Sequence, residues 1–199
     1  MPRRSRYEAP NAVHHAVPKA IEGRRIVLDD RDRRALVTKL FEVAAEHRWN
    51  LLAWSVLDTH LHLVAETLEP NLGVGMKRLL GAHARRFHLR HGGAGPLFVP
   101  RFWSKRILNG NQLLQTALYV DLNPVAAGLA SHPEHYDWCS YGERRSWLVG
   151  LVGETLEEAT ASYAEIVEEA CRRLRSGRRR LPDVVGSACD RAAGRAASG

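Results

Sequence analysis

Two apolar runs flank a short polar segment in residues 51–65, LLAWSVLDTHLHLVA. Their length and their leucine and valine content predict two strands of a buried sheet. Because side chains alternate across a strand, His60 and His62 should share one face while Leu61 and Leu63 point into the core. Two imidazoles on one face can bind one cation, although an ordinary pair of surface or core histidines has the same spacing.

A second informative segment, residues 110–123, ends on Tyr119-Val120-Asp121-Leu122-Asn123. Apolar residues at near-helical spacing after an Asn- and Gly-rich start predict a helix. If the helix continues for one more turn, the Tyr119 phenol and the Asn123 amide share a face. Alternatively, Asn123 caps a new short helix, Pro124 to Ala127, closed by Gly128, because proline disfavours a helical preceding residue. Tyr119 by itself is also compatible with an ordinary core aromatic residue.

The remaining segments predict an alternation of strands and helices around the two central strands. They are a strand over Asn11–Ala20, a helix over Asp30–Arg48 capped by Asp29 or Asp30, a basic helix over Gly75–His91, a glycine-rich turn over Gly92–Gly95 and a strand over Ser104–Leu108. The order strand, helix, strand, strand, helix, strand is ferredoxin-like. We therefore predict an α+β fold, with an antiparallel sheet and packed helices.

The composition changes after Tyr141. Residues Leu156 to Leu174 predict a further helix, and Arg175 to Gly199, which include the run Arg178-Arg179-Arg180, predict a flexible basic tail. We accordingly expect one domain over residues 1–143 and a helical, partly disordered extension over residues 144–199.

Several strings of the chain resemble the single-tyrosine transposases of the IS200-like group, and most closely those associated with repetitive extragenic palindromes (REP). These strings are Thr59-His60-Leu61-His62-Leu63-Val64, Arg85-Arg86-Phe87, Arg101-Phe102-Trp103, Tyr119-Val120-Asp121-Leu122-Asn123-Pro124-Val125-Ala126-Ala127-Gly128-Leu129 and Trp138-Cys139-Ser140-Tyr141. The resemblance covers roughly residues 6 to 143, and the string that begins at Tyr119 is its most specific part. It implies a metal-dependent endonuclease and strand transferase of the His-hydrophobe-His (HUH) class that acts on single-stranded DNA.

The resemblance also implies roles for individual residues. His60 and His62 would bind a divalent cation, Tyr119 would attack the scissile phosphate to form a 5′-phosphotyrosine, and Asn123 would be the third metal ligand. The family suggests Mg or Mn, although imidazole alone also suits Zn, Fe, Ni or Cu. Family members commonly carry Pro-Asn before the first histidine, whereas this chain has Asp58-Thr59. Asp58 would orient a histidine or, as we expect, occupy a turn.

The charge of the chain agrees with a DNA partner. Lys and Arg number 29 against 22 Asp and Glu, a net charge of +7, which favours binding to polyanions. Arg78, Arg85 and Arg86 on the basic helix are candidate phosphate contacts, or form an ordinary solvated face. A second candidate DNA-binding group combines cations with an aromatic ring and consists of Arg101, Trp103, Lys105 and Arg106. The Trp103 ring would stack on unpaired bases or, alternatively, pack in the core.

We expect a cytoplasmic protein, a monomer or homodimer, that binds single-stranded DNA containing a hairpin. Cys139, Cys171 and Cys189 form no Cys-x-x-Cys pair, which favours a reducing compartment, and no apolar segment has the length of a signal peptide or membrane span. Two alternatives to an active transposase remain at this point. One is a domesticated module that binds hairpins without cutting them, and the other is an unrelated hydrolase with a metal-activated water.

Overall fold

The computed structural model describes residues 8–143 and 145–176, which form an α+β fold with a four-stranded antiparallel sheet and four α-helices. The predicted alternation of strands and helices is confirmed. In chain order the elements are β1 (Ala12–Val17), α1 (Asp30–Glu46), β2 (Trp49–Val56), β3 (Leu61–Thr67), α2 (Leu72–His91), β4 (Trp103–Ile107), α3 (Gly110–Ala126) and α4 (Leu156–Arg175).

The chain divides into two compact units, Met1–Ile107 and Leu108–Gly199. The first unit contains the sheet with α1 and α2, and the second contains α3 and α4. Leucines of α3 share one hydrophobic core with Tyr163, Ile166 and Val167 of α4. The division does not coincide with the boundary expected after residue 143, which stays a prediction about the extent of a nuclease domain.

The strands of the first unit are arranged in the order β2-β3-β1-β4, and every neighbouring pair is antiparallel. This is the predicted ferredoxin-like arrangement. Strand β1 is shorter than expected because Pro18 has no N–H to donate. The Pro18 carbonyl instead accepts a hydrogen bond from Leu61 N at 3.1 Å, and Lys19 then pairs with His60 in an isolated bridge.

Helix α1 begins and ends for identifiable reasons. Its N-cap is Asp29, whose side chain accepts a hydrogen bond from Asp32 N at 3.0 Å. The helix ends at Glu46 rather than Arg48, because Arg48 adopts a left-handed backbone conformation with φ of 56°.

Helix α2 begins at Leu72, about one turn earlier than predicted. Gly75 therefore lies inside the helix rather than at its start. A Cβ atom at Gly75 would come within 2.3 Å of the Trp49 ring, so the glycine permits close packing of α2 against this indole. The side chain of Asn71, just before α2, makes two hydrogen bonds to the start of β2 and the end of α1. Its Oδ1 accepts from Trp49 Nε1 at 2.7 Å, and its Nδ2 donates to His47 O at 2.9 Å.

The predicted C-terminal helix is confirmed as α4, whereas most of the predicted tail lies outside the described residues. Arg175 and Ser176 are described, but Cys189 and the Arg178-Arg179-Arg180 run are not. Within residues 8–143 and 145–176, no helix is long and apolar enough to cross a bilayer.

A buried histidine in α2 makes the stability of the first unit dependent on pH. His83 is 3% exposed, its Nε2 donates to Ile26 O at 2.7 Å, and its Nδ1 has no hydrogen-bond partner among the described residues. Burial lowers the pKa of His83, the Ile26 carbonyl and Asp32 oppose this, and Arg86 adds to it. The unfolded chain therefore binds more protons below about pH 6.5, so the stabilisation is complete above that pH and is lost as the pH falls toward the folded-state pKa.

We predict that His83→Gln destabilises the protein at pH 8 and that this destabilisation shrinks at lower pH. The variant lacks the buried imidazole that must stay neutral, so its deficit relative to wild type should decrease by roughly 1 kcal/mol per pH unit below the unfolded-state pKa. Urea unfolding between pH 8 and 5 measures this difference, with the exposed His135→Gln as control. A deficit that is constant, or that grows as the pH falls, contradicts the prediction.

Candidate active site

The predicted site residues fall in both units, and each group is described by itself. His60 and His62 belong to the first unit, whereas Tyr119 and Asn123 belong to the second.

In the first unit, His60, just before β3, and His62, in β3, present two imidazoles on one face of the sheet. Leu61 and Leu63 are fully buried on the opposite face, as strand alternation predicts. The His60 and His62 rings are 4.8 Å apart between centroids and nearly perpendicular, at 79°. His62 is only 3% exposed, whereas His60 is half-buried.

The turn before β3 positions the first imidazole. Thr59 Oγ1 is hydrogen-bonded to His60 Nδ1 at 2.9 Å. Burial lowers the pKa of His60, and the nearby cation of Lys19 lowers it further, which favours the neutral ring that a metal requires. Asp58, the other departure from the family pattern, instead pairs with Arg33 and Arg25 at 2.5 and 3.4 Å, in agreement with the turn interpretation.

A third histidine, His15 of β1, contacts the site and was not recognised in the sequence. Its Nε2 lies 3.0 Å from His62 Nδ1, within hydrogen-bonding distance, and the two rings stack with centroids 5.3 Å apart. Burial lowers the pKa of His15 to about 4, so the ring is neutral at physiological pH. The sequence shows a histidine in a predicted strand, but only the register, which pairs His15 with Val64, places it beside His62.

His60 and His62 fit a divalent cation through their Nε2 atoms. Thr59 and His15 occupy the two Nδ1 atoms, which leaves Nε2 of each ring as the ligating atom. Among residues 8–143 and 145–176, no group of three or more His, Cys, Asp or Glu side chains is arranged to hold a metal.

The same sheet face carries cations and an aromatic ring. Lys19 pairs with His60, and Lys105 of β4 pairs with His15, so both extend from the histidine face. Trp103 is 52% exposed, so it is not a core residue, and its ring meets His15 edge-on at 5.3 Å. Arg106 is the neighbour of Lys105 along β4 and therefore extends from the opposite face.

The basic exterior of α2 is smaller than the sequence suggested, because acidic partners come from elsewhere in the fold. Arg78 pairs with Glu46 of α1 at 2.7 Å. Arg90, near the end of α2, pairs with Asp29 and Asp32. Arg85 and Arg86 are exposed. Arg101 is also exposed and precedes β4.

In the second unit, α3 carries Tyr119 and Asn123 one helical turn apart. The helix continues through Pro124 to Ala126, so the interpretation of Asn123 as the cap of a new helix is wrong. The Asn123 side chain donates from Nδ2 to the Tyr119 carbonyl at 2.9 Å, which directs its Oδ1 away from that carbonyl. Tyr119 is 45% exposed, so it is not a core aromatic residue.

The packing of α3 explains this exposure. Leu114, Leu118 and Leu122 recur every four residues and form its buried stripe. Tyr119 and Asn123 each follow one of these leucines by one residue, which places them about 100° around the helix from the stripe.

A buried ionic network, also not anticipated from the sequence, anchors α3. Asp121 is fully buried and accepts two hydrogen bonds from the Arg145 guanidinium, at 2.6 and 2.8 Å. Tyr163 of α4 donates to the same carboxylate at 2.6 Å, and burial raises the pKa of Tyr163 well above its ordinary value, which keeps the phenol protonated as a donor. Arg145 also donates to Ser140 Oγ at 2.9 Å.

Comparisons with known proteins were made by sequence and by structure. No family model and no curated protein matches the sequence. The structure of a REP-associated tyrosine transposase bound to a REP hairpin is similar, with 18% identity, a TM-score of 0.61, and coverage of 72% of this chain and 85% of that chain. A protein from Deinococcus radiodurans named as a transposase gives 20% identity, a TM-score of 0.41, and coverage of 61% and 95%. The first similarity shows that this chain has an IS200/REP-type transposase-like fold.

We predict that Asp121→Ala lowers the free energy of unfolding by about 3–5 kcal/mol, because it leaves the buried Arg145 guanidinium without its counter-charge. Tyr163→Phe removes one donor and should cost about 1–2 kcal/mol. Denaturant unfolding monitored by circular dichroism measures both effects. A cost below 1 kcal/mol for Asp121→Ala would show that the network does not anchor α3.

Proposed function

We propose that the protein is a metal-dependent transposase that nicks and rejoins single-stranded DNA beside a hairpin, through a 5′-phosphotyrosine at Tyr119. The observation that carries the proposal is the His60–His62 pair at the start of β3, in a chain with a transposase-like fold. The rings lie 4.8 Å apart between centroids, and each Nδ1 is hydrogen-bonded. With both Nδ1 atoms engaged by protein groups, Nε2 would be the ligating atom of each ring.

His60 and His62 would hold the cation, Mg²⁺ or Mn²⁺, and Asn123 would supply Oδ1 as the third protein ligand. When bound, such a cation polarises a phosphoryl oxygen and stabilises the charge of the transition state. The lowered pKa values of His60 and His15 support this assignment, since they favour neutral rings at physiological pH. The hydrogen bond from Asn123 Nδ2 to the Tyr119 carbonyl supports it also, because it orients the amide.

Tyr119 would act as the nucleophile. Its Oη forms a bond to phosphorus as the phenolic proton is lost, and the bond from phosphorus to the 3′ oxygen breaks. The departing oxygen takes up a proton and becomes a free 3′-hydroxyl. One phosphodiester is exchanged for another, so a 3′-hydroxyl can later attack the phosphotyrosine and rejoin strands. The exposure of Tyr119 on α3 is compatible with the approach of a DNA strand.

The first unit offers contacts for the DNA. The exposed ring of Trp103 is suited to stacking on an unpaired base, and Lys105 and Lys19 extend from the same sheet face as the histidines. Arg101 and Arg106 flank this group in the sequence, and Arg85 and Arg86 are candidate phosphate contacts on α2. Arg78 is the weakest candidate, because Glu46 already neutralises it. We place this activity in the cytoplasm, in a monomer or a homodimer.

We predict that Tyr119→Phe abolishes a covalent protein–DNA adduct. The wild-type protein, incubated with Mn²⁺ or Mg²⁺ and single-stranded oligonucleotides that contain candidate hairpins, should form an adduct that survives a denaturing gel. Removal of the phenolic oxygen removes the attacking atom, whereas Tyr136→Phe, a matched control, should keep the adduct.

The same assay separates the competing functions. An adduct that persists in Tyr119→Phe assigns the nucleophile to another residue. Cleavage without an adduct in the wild type indicates hydrolysis by water, and hairpin binding without cleavage in either metal indicates a binding module.

We predict that His60→Ala lowers the cleavage rate by about 10²-fold or more, the magnitude typical of the loss of a group that stabilises transition-state charge. Hairpin affinity should change little, since most of that affinity comes from cationic contacts to phosphates. Cleavage gels and electrophoretic mobility shifts measure the two quantities, with the exposed His135→Ala as control. If hairpin binding disappears together with cleavage, His60 has a structural role instead.

A further inference from the structure

The contact between His15 and His62 has a consequence for metal binding. His15 Nε2 and His62 Nδ1 are 3.0 Å apart, so one ring donates its N–H and the other accepts it. A neutral imidazole carries a single ring proton, and the hydrogen bond at one nitrogen therefore decides whether the other nitrogen has a lone pair. Which of the two rings donates therefore decides whether Nε2 of His62 has a lone pair with which to bind a metal.

Only one of the two arrangements permits His62 to bind a metal. If His15 donates, the proton of His62 is on Nε2, and that atom cannot ligate. If His62 donates from Nδ1, its Nε2 carries the lone pair. Coordination through Nδ1 is not an alternative, because His15 already occupies that position.

We propose that His15 is a positioning residue that accepts the Nδ1–H of His62 and thereby presents His62 Nε2 to the metal, an inference that rests on the proposed function. His15 is not itself a ligand, because its Nε2 accepts from His62 and the single proton of the neutral ring then lies on Nδ1. Metal-ligating histidines generally donate their second N–H to an acceptor, and loss of that acceptor typically weakens metal binding.

The surroundings of His15 suit this role. The ring is 8% exposed, stacks on His62 at an interplanar angle of 27°, and meets the edge of Trp103. The pairing of β1 with both β3 and β4 fixes its backbone, opposite Val64 on one side and Lys105 on the other. Without His15, the buried Nδ1–H of His62 would lose its acceptor in a region where unpaired polar groups are costly.

Two variants separate an acceptor role from a packing role. His15→Phe keeps a planar ring but removes the acceptor, whereas His15→Gln replaces the ring with an amide whose oxygen can accept. A matched control is His88→Phe in α2, because His88 also uses Nε2 in a hydrogen bond, to Gly95 O at 2.9 Å, outside the proposed site. Circular dichroism and thermal unfolding establish that each variant is folded.

The experiment measures Mn²⁺ affinity of the full chain without DNA, by electron paramagnetic resonance. In parallel, ¹⁵N NMR of the Mg²⁺-loaded protein reports the tautomer of His62. We expect the Nδ1–H tautomer in wild type, a loss of about 10- to 100-fold in Mn²⁺ affinity in His15→Phe, partial recovery in His15→Gln and no change in His88→Phe. A packing role would not produce recovery by glutamine or the Nδ1–H signal.

The outcomes distinguish this inference from the function on which it rests. An unchanged affinity in His15→Phe, or an Nε2–H tautomer of His62 in the loaded wild type, overturns the role of His15 alone. Wild-type protein that binds Mn²⁺ through an Nδ1–H His62 but forms no DNA adduct overturns the nicking activity and leaves His15 in place. Absence of Mn²⁺ binding in wild type overturns both.

Discussion

The antiparallel pairing of β1 with β3 is the constraint on which the candidate metal centre depends. This pairing places His15 opposite Val64, and the isolated bridge just beyond β1 places Lys19 opposite His60, so one continuous segment of chain brings an imidazole and a cation next to the two histidines. A shift of the register by one residue would turn His15 to the other face of the sheet. The apolar side chains of β3, which must face the core, therefore also determine the chemistry of the opposite face.

The titratable side chains in the interior of the two units have different environments. On the sheet face, burial lowers the pKa of His15 and of His60, and the Lys19 cation lowers the pKa of His60 further, whereas in the second unit the Asp121 carboxylate and the Arg145 guanidinium make a two-point hydrogen-bonded contact. A neutral imidazole retains a lone pair for a ligand, while the Asp121 carboxylate already accepts three hydrogen bonds from protein donors. This difference distinguishes a candidate reactive centre from a structural one.

Local patterns explain what could be predicted from the sequence. Apolar periodicity marked the strands and helices, and alternation was sufficient to place His60 and His62 on one face. The long-range contacts could not be predicted from local patterns. The approach of His15 to His62 depends on the strand register, and the ion pair of Arg78 depends on the packing of α1 against α2. Gly75 lies inside a helix, at a position where a larger side chain would overlap the Trp49 ring. The alternative in which Asn123 and Pro124 start a new helix was wrong, because the rule that proline ends helices does not hold in the last turn of α3.

The packing of α3 determines at which stage the entropic cost of ordering Tyr119 and Asn123 arises. The conformational entropy that is lost when Tyr119 and Asn123 are placed one helical turn apart is offset once, during folding, mainly by burial of the leucine stripe. The proposed nucleophile is therefore carried on a preformed helix rather than on a loop that would have to become ordered in every reaction cycle. In the proposed nicking and rejoining of a strand, such preorganisation would lower the forward and the reverse barrier alike.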